Sequence, residues 1–165
     1  MPDDLIVSVA KEISAPAEVV FALLADPAKH PEIDGSGMLR SATSSGVISG
    51  VGDIFTMQMH NEEMGDYEMI NHVVTYEAGR CIAWEPVLLH AGRAEDKEDE
   101  GVRSGHRWSF NLAPINAGTT VATESYDCSS APAWLQKAVK GGTRWQVSME
   151  ISLENISRLC STDKA

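Results

Sequence analysis

The chain has no run of basic residues. Its 13 Lys and Arg, among them Arg40, Arg80, Arg93, Arg103, Arg107 and Arg144, are scattered against 24 Asp and Glu, for a formal net charge of −11 over 165 residues. Nucleic acid and anionic lipid surfaces are repelled by such a field, so neither is expected as a partner. No apolar stretch approaches the roughly 20 residues needed to span a bilayer. The N-terminal "MPDDLIVSVA" is acidic where a secretion signal is basic. No membrane insertion and a cytoplasmic location are therefore expected. Cysteine is scarce too: Cys81, Cys128 and Cys160 are odd in number and lack C-x-x-C spacing, which argues for free thiols over a disulfide framework. Asp127 beside Cys128 disfavours a reactive thiolate there.

Catalytic signatures are also missing. No G-x-S-x-G, H-E-x-x-H or Cys–His pattern occurs. "SGVISGVGD" carries Gly46, Gly50 and Gly52 but neither the spacing of a dinucleotide loop nor the lysine of a phosphate loop, and it reads as a turn. No cofactor is expected.

What is present is an ordered alternation of extended and helical signals. "LIVSVAKEI", residues 5 to 13, reads as a first strand. Ser14 and Pro16 then start a helix whose apolar stripe is Ala17, Val20, Phe21 and Leu24, and "DPAKHPEID" breaks it, with a short second helical turn around Ala28 to His30. Six extended runs follow from residue 38: "MLRSATS", "DIFTMQMHN", "DYEMINHVVTYE", "RCIAWEPVL", "GHRWSFNLAP" and "TTVATESYDCS". Their hairpin-like turns indicate an antiparallel sheet. "AEDKEDEG", residues 94 to 101, is a charged, solvated loop. "APAWLQKAV" predicts a short helix ended by "KGG". Trp145, Met149, Leu153, Ile156 and Leu159 then form a stripe along one long helix from about Thr143 to Cys160. No internal repeat or linker interrupts the chain, so a single domain over residues 1–165 is expected, large enough for one core with a cavity in it.

"VAKEISAPAEVVFALLADPAKHPEIDGSG", "GDYEMINHVVTYEAGRCIAWEP" and "TESYDCS" resemble the START-like SRPBCC superfamily, in particular its polyketide cyclase/dehydrase and lipid transport branch. The resemblance covers nearly the whole chain, departing from the branch between Ala131 and Gly142. It implies an α+β helix-grip fold: a curved antiparallel sheet of about seven strands wrapped around a long C-terminal helix, with two short helices after the first strand and a cavity between sheet and helix. It says little about activity, since one fold hosts carriers and enzymes alike.

Hairpin arithmetic assigns faces, because directly paired residues share one. A two-residue Ala78-Gly79 loop pairs Val73 with Trp84, Thr75 with Ile82, Asn71 with Pro86 and His72 with Glu85. A loop from Glu62 to Asp66 pairs Phe55 with Val73, Met57 with Asn71, Met59 with Met69 and His60 with Glu68. The expected inward set is Phe55, Met57, Met59, Met69, Val73, Ile82, Trp84, Trp108 and Phe110, with Asn71 and His106 as polar members. His60 falls on the outer face, so Met57, Met59 and His60 cannot chelate one metal ion from a regular strand, and no metal site is expected. A bulge between Met59 and His60 would change that. On the last strand, "PINAGTT" permits several loop lengths, leaving open whether Glu124 with Tyr126 or Thr123 with Ser125 faces inward.

Thioethers and large aromatics suit a wall that adapts to an apolar guest, though the same set can fill a core. The expected ligand-binding residues are Phe55, Met57, Met59, Met69, Asn71, Trp84, His106, Trp108 and Phe110. His106 is the candidate acid–base group, because histidine titrates near neutrality. Binding of a small hydrophobic molecule (a lipid, polyketide or aromatic metabolite) by a monomer or homodimer is the leading expectation. The alternatives are a polyketide cyclase/dehydratase-like enzyme in which His106 and a carboxylate or tyrosine of the last strand move protons, and a protein-interaction module.

Overall fold

Along the last strand every second residue is buried: Thr120, Ala122, Glu124 and Tyr126. That period is the mark of a sheet with one face against the protein and one toward solvent. The computed structural model describes residues 5–90 and 101–163. Its elements are β1 (Ile6–Ile13), α1 (Ala17–Leu24), a 3₁₀ turn (Pro27–Lys29), α2 (His30–Ile33), β2 (Leu39–Ala42), β3 (Ile54–Asn61), β4 (Gly65–Glu77), β5 (Cys81–His90), β6 (Arg107–Asn116), β7 (Thr119–Asp127), α3 (Ala133–Ala138), a second 3₁₀ turn (Lys140–Trp145) and α4 (Gln146–Asp163). The strands form one antiparallel sheet in the order β1-β7-β6-β5-β4-β3-β2, not closed into a barrel. This is the helix-grip α+β arrangement. Among the described residues no helix is long and apolar enough to cross a membrane. The charged "AEDKEDEG" loop lies, apart from Gly101, outside the described residues.

Of the stripe read from the sequence, α4 buries Met149, Leu153 and Ile156, each at most 1% exposed, while Leu159 is half-buried and Cys160 beside it is fully buried. Leu153 and Ile156 join Val20, Phe21 and Leu24 of α1 and Val73, Ile82, Leu112 and Ala122 of the sheet in one core. The second helical turn runs further than the sequence suggests, to Ile33, because α2 is docked onto α4. The Gly35 N–H donates to Ser152 Oγ at 2.9 Å and Asn155 Nδ2 donates to the Ile33 carbonyl at 3.0 Å. A Cβ at Gly35 would lie 2.1 Å from the Ser148 carbonyl oxygen.

Two hairpin registers differ from the expected ones, and both differences come from the turns. The β3–β4 loop contains Glu62, Glu63 and Met64 only; Asn61 Oδ1 accepts from the Met64 N–H at 2.6 Å, and Gly65 takes φ +72° to leave the turn. The pairs are therefore Phe55 with Asn71, Met57 with Met69, Met59 with Tyr67 and His60 with Asp66. The shift is an even number of residues, so every side chain keeps its face. At the β4–β5 turn, the Arg80 N–H donates to the Glu77 carbonyl at 2.9 Å and Glu77 pairs with Cys81. A bulge between Val73 and Thr75 restores the expected pairs of Val73 with Trp84, His72 with Glu85 and Asn71 with Pro86. Tyr76 rather than Thr75 consequently faces Ile82, and its ring packs edge-on against Phe21 at 5.4 Å.

The close approach at Gly35 has a measurable consequence. Gly35→Ala is expected to lower the unfolding free energy by about 1–3 kcal/mol, the usual cost of forcing atoms into a filled contact. Gly50→Ala, with no atom within 4 Å of the added Cβ, is expected to change it by less than about 0.5 kcal/mol. Urea titration of the three proteins checks the difference; equal midpoints for the two variants would contradict it.

Candidate functional site

The concave face of the sheet divides into two halves. Val73, Ile82, Leu112 and Ala122 are closed over by α1 and α4 and belong to the solid core. Toward the other end the same face borders a cavity of about 470 Å³. Phe55, Met57 and Met59 reach it from β3, Met69 and Asn71 from β4, and Trp84 from β5. His106 reaches it from just before β6, and Trp108 and Phe110 from β6. All nine positions singled out from strand alternation thus border one space, while Val73 and Ile82 do not. The opposite wall is made of Leu24, His30 and Ile33, of Leu135 and Val139 from α3 and the turn after it, and of Trp145 and Met149.

Aromatic rings organise this wall. Trp84 stacks on His30 at 5.1 Å with 22° between planes, meets Phe55 edge-on at 5.3 Å and lies 6.0 Å from Phe110. A second group joins Trp108 to Tyr126 at 4.6 Å and to Trp145 at 6.1 Å. Rings in such offset and edge contacts hold one another in place, while the flexible methionines beside them can adjust.

The polar groups are few and strongly conditioned by burial. Asn71 braces its neighbouring strand, donating from Nδ2 to the Phe55 carbonyl at 3.4 Å. His106 Nδ1 and Tyr126 Oη share a hydrogen bond of 2.7 Å. Burial pushes the His106 imidazole down to about 4, although the Glu85 charge acts in the opposite direction. Burial also pushes the Tyr126 phenol up, so the pair is a neutral imidazole and a neutral phenol at neutral pH. Tyr67 is driven up to about 12 by burial, with Asn61 Nδ2 donating to its oxygen at 3.4 Å. His30 lies 2.8 Å through Nε2 from the Leu24 carbonyl. A carbonyl only accepts, so Nε2 carries the hydrogen; burial holds this histidine below its ordinary range.

Glu124 is the group left open by the sequence. β7 turns it inward, opposite Phe110 of β6, and it is 6% exposed. Its Oε1 is buried without a hydrogen-bond partner. Burial, and secondarily the charge of Asp34, push its carboxyl up to about 8. Asp34 itself borders the cavity from the end of α2 and accepts from the Ser36 N–H, the Ser36 hydroxyl and the Leu39 N–H at 3.0, 2.7 and 3.1 Å. The register of β7 depends on a turn at Ala117-Gly118 and a shift near Ile115, neither of which local alternation specifies. His30 and Asp34 lie in a segment read as a helix break, which carries no periodicity to assign a face. Trp145, which its spacing places on the helix stripe, lies instead in the turn before α4.

β3 pairs with β4 from Ile54 to Asn61 without a bulge, so Met57 and Met59 face the cavity. His60 bonds through Nδ1 to Asp66 Oδ1 at 2.7 Å on the outer face, where Glu68 had been expected as its partner. Among the described residues no three His, Cys, Asp or Glu side chains are grouped to hold a metal ion.

Opposite pH dependences follow for Glu124 and His106. Glu124 moves from an ordinary 4.5 up to about 8, so it stays protonated in the fold while the unfolded chain ionises, and stability falls as pH rises through that interval. His106 moves from 6.5 down to about 4, so the unfolded chain binds the proton first and stability falls as pH drops below 6.5. Between 6.5 and about 8 Glu124 acts without His106. Glu124→Gln is expected to remove up to about 2 kcal/mol of stability loss across that interval, at about 1.4 kcal/mol per pH unit. Urea midpoints measured against pH check it; an unchanged alkaline limb in the variant would contradict the assignment.

Two uncharacterized proteins from strains of Mycobacterium tuberculosis are each 28% identical over 127 residues, 77% of this chain and 49% of theirs. The chain spans about half the length of these curated relatives. Among solved structures, a Mycobacterium smegmatis protein aligns with TM-score 0.67 at 16% identity, covering 99% of this chain and 95% of its own. An Arthrobacter aurescens protein aligns with TM-score 0.72 at 14%, covering 98% and 89%. A Thalictrum norcoclaurine synthase point mutant, in complex with a transition-state analogue, aligns with TM-score 0.60 at 16%, covering 97% and 96%. At such identities the likeness is one of fold. The family described as polyketide cyclase/dehydrase and lipid transport matches residues 4–160, and the chain belongs to it.

Proposed function

We propose that the protein binds a small hydrophobic molecule, such as a lipid, polyketide or aromatic metabolite, in the cavity between the sheet and α4. The observation that carries this reading is the cavity itself. Its volume of about 470 Å³ is in the range of small-molecule sites, and its wall is apolar and aromatic with a few convergent polar groups. Phe55, Met57, Met59, Met69, Trp84, Trp108 and Phe110 supply the apolar contacts, and Asn71 and His106 the polar ones. The reading takes residues 1–165 as one domain, acting in the cytoplasm as a monomer or homodimer.

A second reading has one specific observation in its favour. The hydrogen bond between Tyr126, buried behind the wall, and His106, which borders the cavity, offers a proton path to it, as a cyclase- or dehydratase-like enzyme requires. In that case His106 is the acid–base group and Tyr126 relays or orients its proton.

Trp84, Trp108 and Trp145 border the cavity, so a guest alters tryptophan emission. Titration with an apolar fluorescence quencher is expected to saturate. Met69→Trp, whose indole extends into open space, is expected to weaken binding by about tenfold or more at an unchanged melting temperature, since it occupies volume the guest needs without crowding packed core. Unsaturable quenching, or equal affinity in the variant, would overturn the binding reading. Under the enzymatic reading, Tyr126→Phe is expected to lower turnover of an aromatic polyketide by about 100-fold or more, the usual worth of positioned proton transfer. Full turnover in the variant would remove Tyr126 from the chemistry.

A further inference from the structure

The charges around the cavity are not neutral in their bias. Glu124 borders the cavity at 6% exposure, and its Oε1 is buried without a hydrogen-bond partner. Asp34 brings a second carboxylate to the same space. The influence of Asp34 reaches Glu124 on β7, Tyr67 on β4 and His30 on α2, three elements on different sides of the cavity. Among the described residues, the other ionisable groups bordering the space are His106, Glu63 and Arg144. Arg144 is the one Lys or Arg among the described residues that border it. It is spent at the rim, 3.7 Å from Glu63 Oε1, with its guanidinium 5.3 Å from the centre of the Trp145 ring.

Three kinds of polar head can be weighed against this arrangement. An anionic head meets the Asp34 carboxylate and no inward cation, so it is repelled. A neutral hydroxyl can satisfy Glu124 but leaves the field of Asp34 uncompensated. A protonated amine can pair with the Glu124 carboxyl through a charge-assisted hydrogen bond and is attracted by Asp34, in a wall that also holds Trp84 and Trp108. We propose that the cavity selects an amphiphile with a protonated amine head, its nitrogen on the Glu124 carboxylate and its apolar body along Met57, Met69 and Trp84. This rests on the ligand-binding reading and sharpens it. The exchange balances simply: the ammonium enters with its proton, Glu124 gives up its own to solvent, and the complex is an ammonium–carboxylate pair.

Isothermal titration calorimetry with decylamine, decanol and decanoate, repeated in buffers of different ionisation enthalpy, tests it. Decylamine is expected to bind tighter than decanol by about tenfold or more, the worth of a hydrogen bond to a charged group over a neutral one, with decanoate weakest. At about pH 6 decylamine is expected to release about one proton and decanol none, and the release should vanish near about pH 9.5, where Glu124 is already ionised. Glu124→Gln is expected to collapse the amine-to-alcohol ratio toward one and abolish the release. Decanol or decanoate binding as tightly as decylamine, or the absence of proton release in the unmodified protein, overturns the amine proposal alone. Failure of all three to bind overturns the cavity reading with it. Because proton release is read on the unmodified protein, the test does not depend on the variant folding.

Discussion

One helix cannot cover this sheet. Seven strands at about 4.8 Å spacing extend about 29 Å from first to last, whereas an α-helix with its side chains is about 10 Å across. α4, 18 residues long, therefore closes only part of the concave face. α1 completes the core at one end, where Val20, Phe21 and Leu24 meet Val73 and Ile82. At the other end the glycine contact between Gly35 and Ser148 brings α2 down onto α4, and among the described residues a cavity is left between β3, β4 and the turn before α4. The cavity is the part of the sheet that the helices leave uncovered, and its location follows from which helices dock where.

The same geometry sets the chemistry. Glu85 and Glu124 are the same side chain on opposite faces of the sheet. Burial alone would raise Glu85, but hydrogen bonds from Arg103 at 2.7 Å and Arg107 at 2.9 Å outweigh it and hold its carboxyl below the ordinary range. Glu124 has no such donors, and burial drives it up to about 8. A charged outer face and an inner face whose His106, Tyr126 and Glu124 are neutral at neutral pH are consequences of period-2 alternation combined with a one-sided core.

Much of this was legible from local pattern. The stripe Met149, Leu153 and Ile156 identifies the face α4 buries, and the alternation in "FTMQMHN" separates Met57 and Met59 from His60 before any pairing is known. The hairpin registers were less secure, yet an error of two residues in β3–β4 left every face correct, because the side-chain period is also two. Where the turn was ambiguous by one residue, as between β6 and β7, the face of Glu124 and Tyr126 could not be assigned at all. The bulge between Val73 and Thr75 had the same effect locally, putting Tyr76 where Thr75 was expected.

The sequence by itself determined the order of elements, the apolar faces of α1 and α4 and the inward alternation of β3 and β6, since each is a periodicity carried by residues a few positions apart. Only the tertiary structure decided that Val73 and Ile82 enter solid core while Met57 and Met69 border open space. It alone brought His30 against Trp84 and left the Glu124 oxygen without a partner. Those outcomes depend on which distant segments occupy the volume beside a residue, and volume is shared among elements far apart in the chain rather than encoded in any one of them.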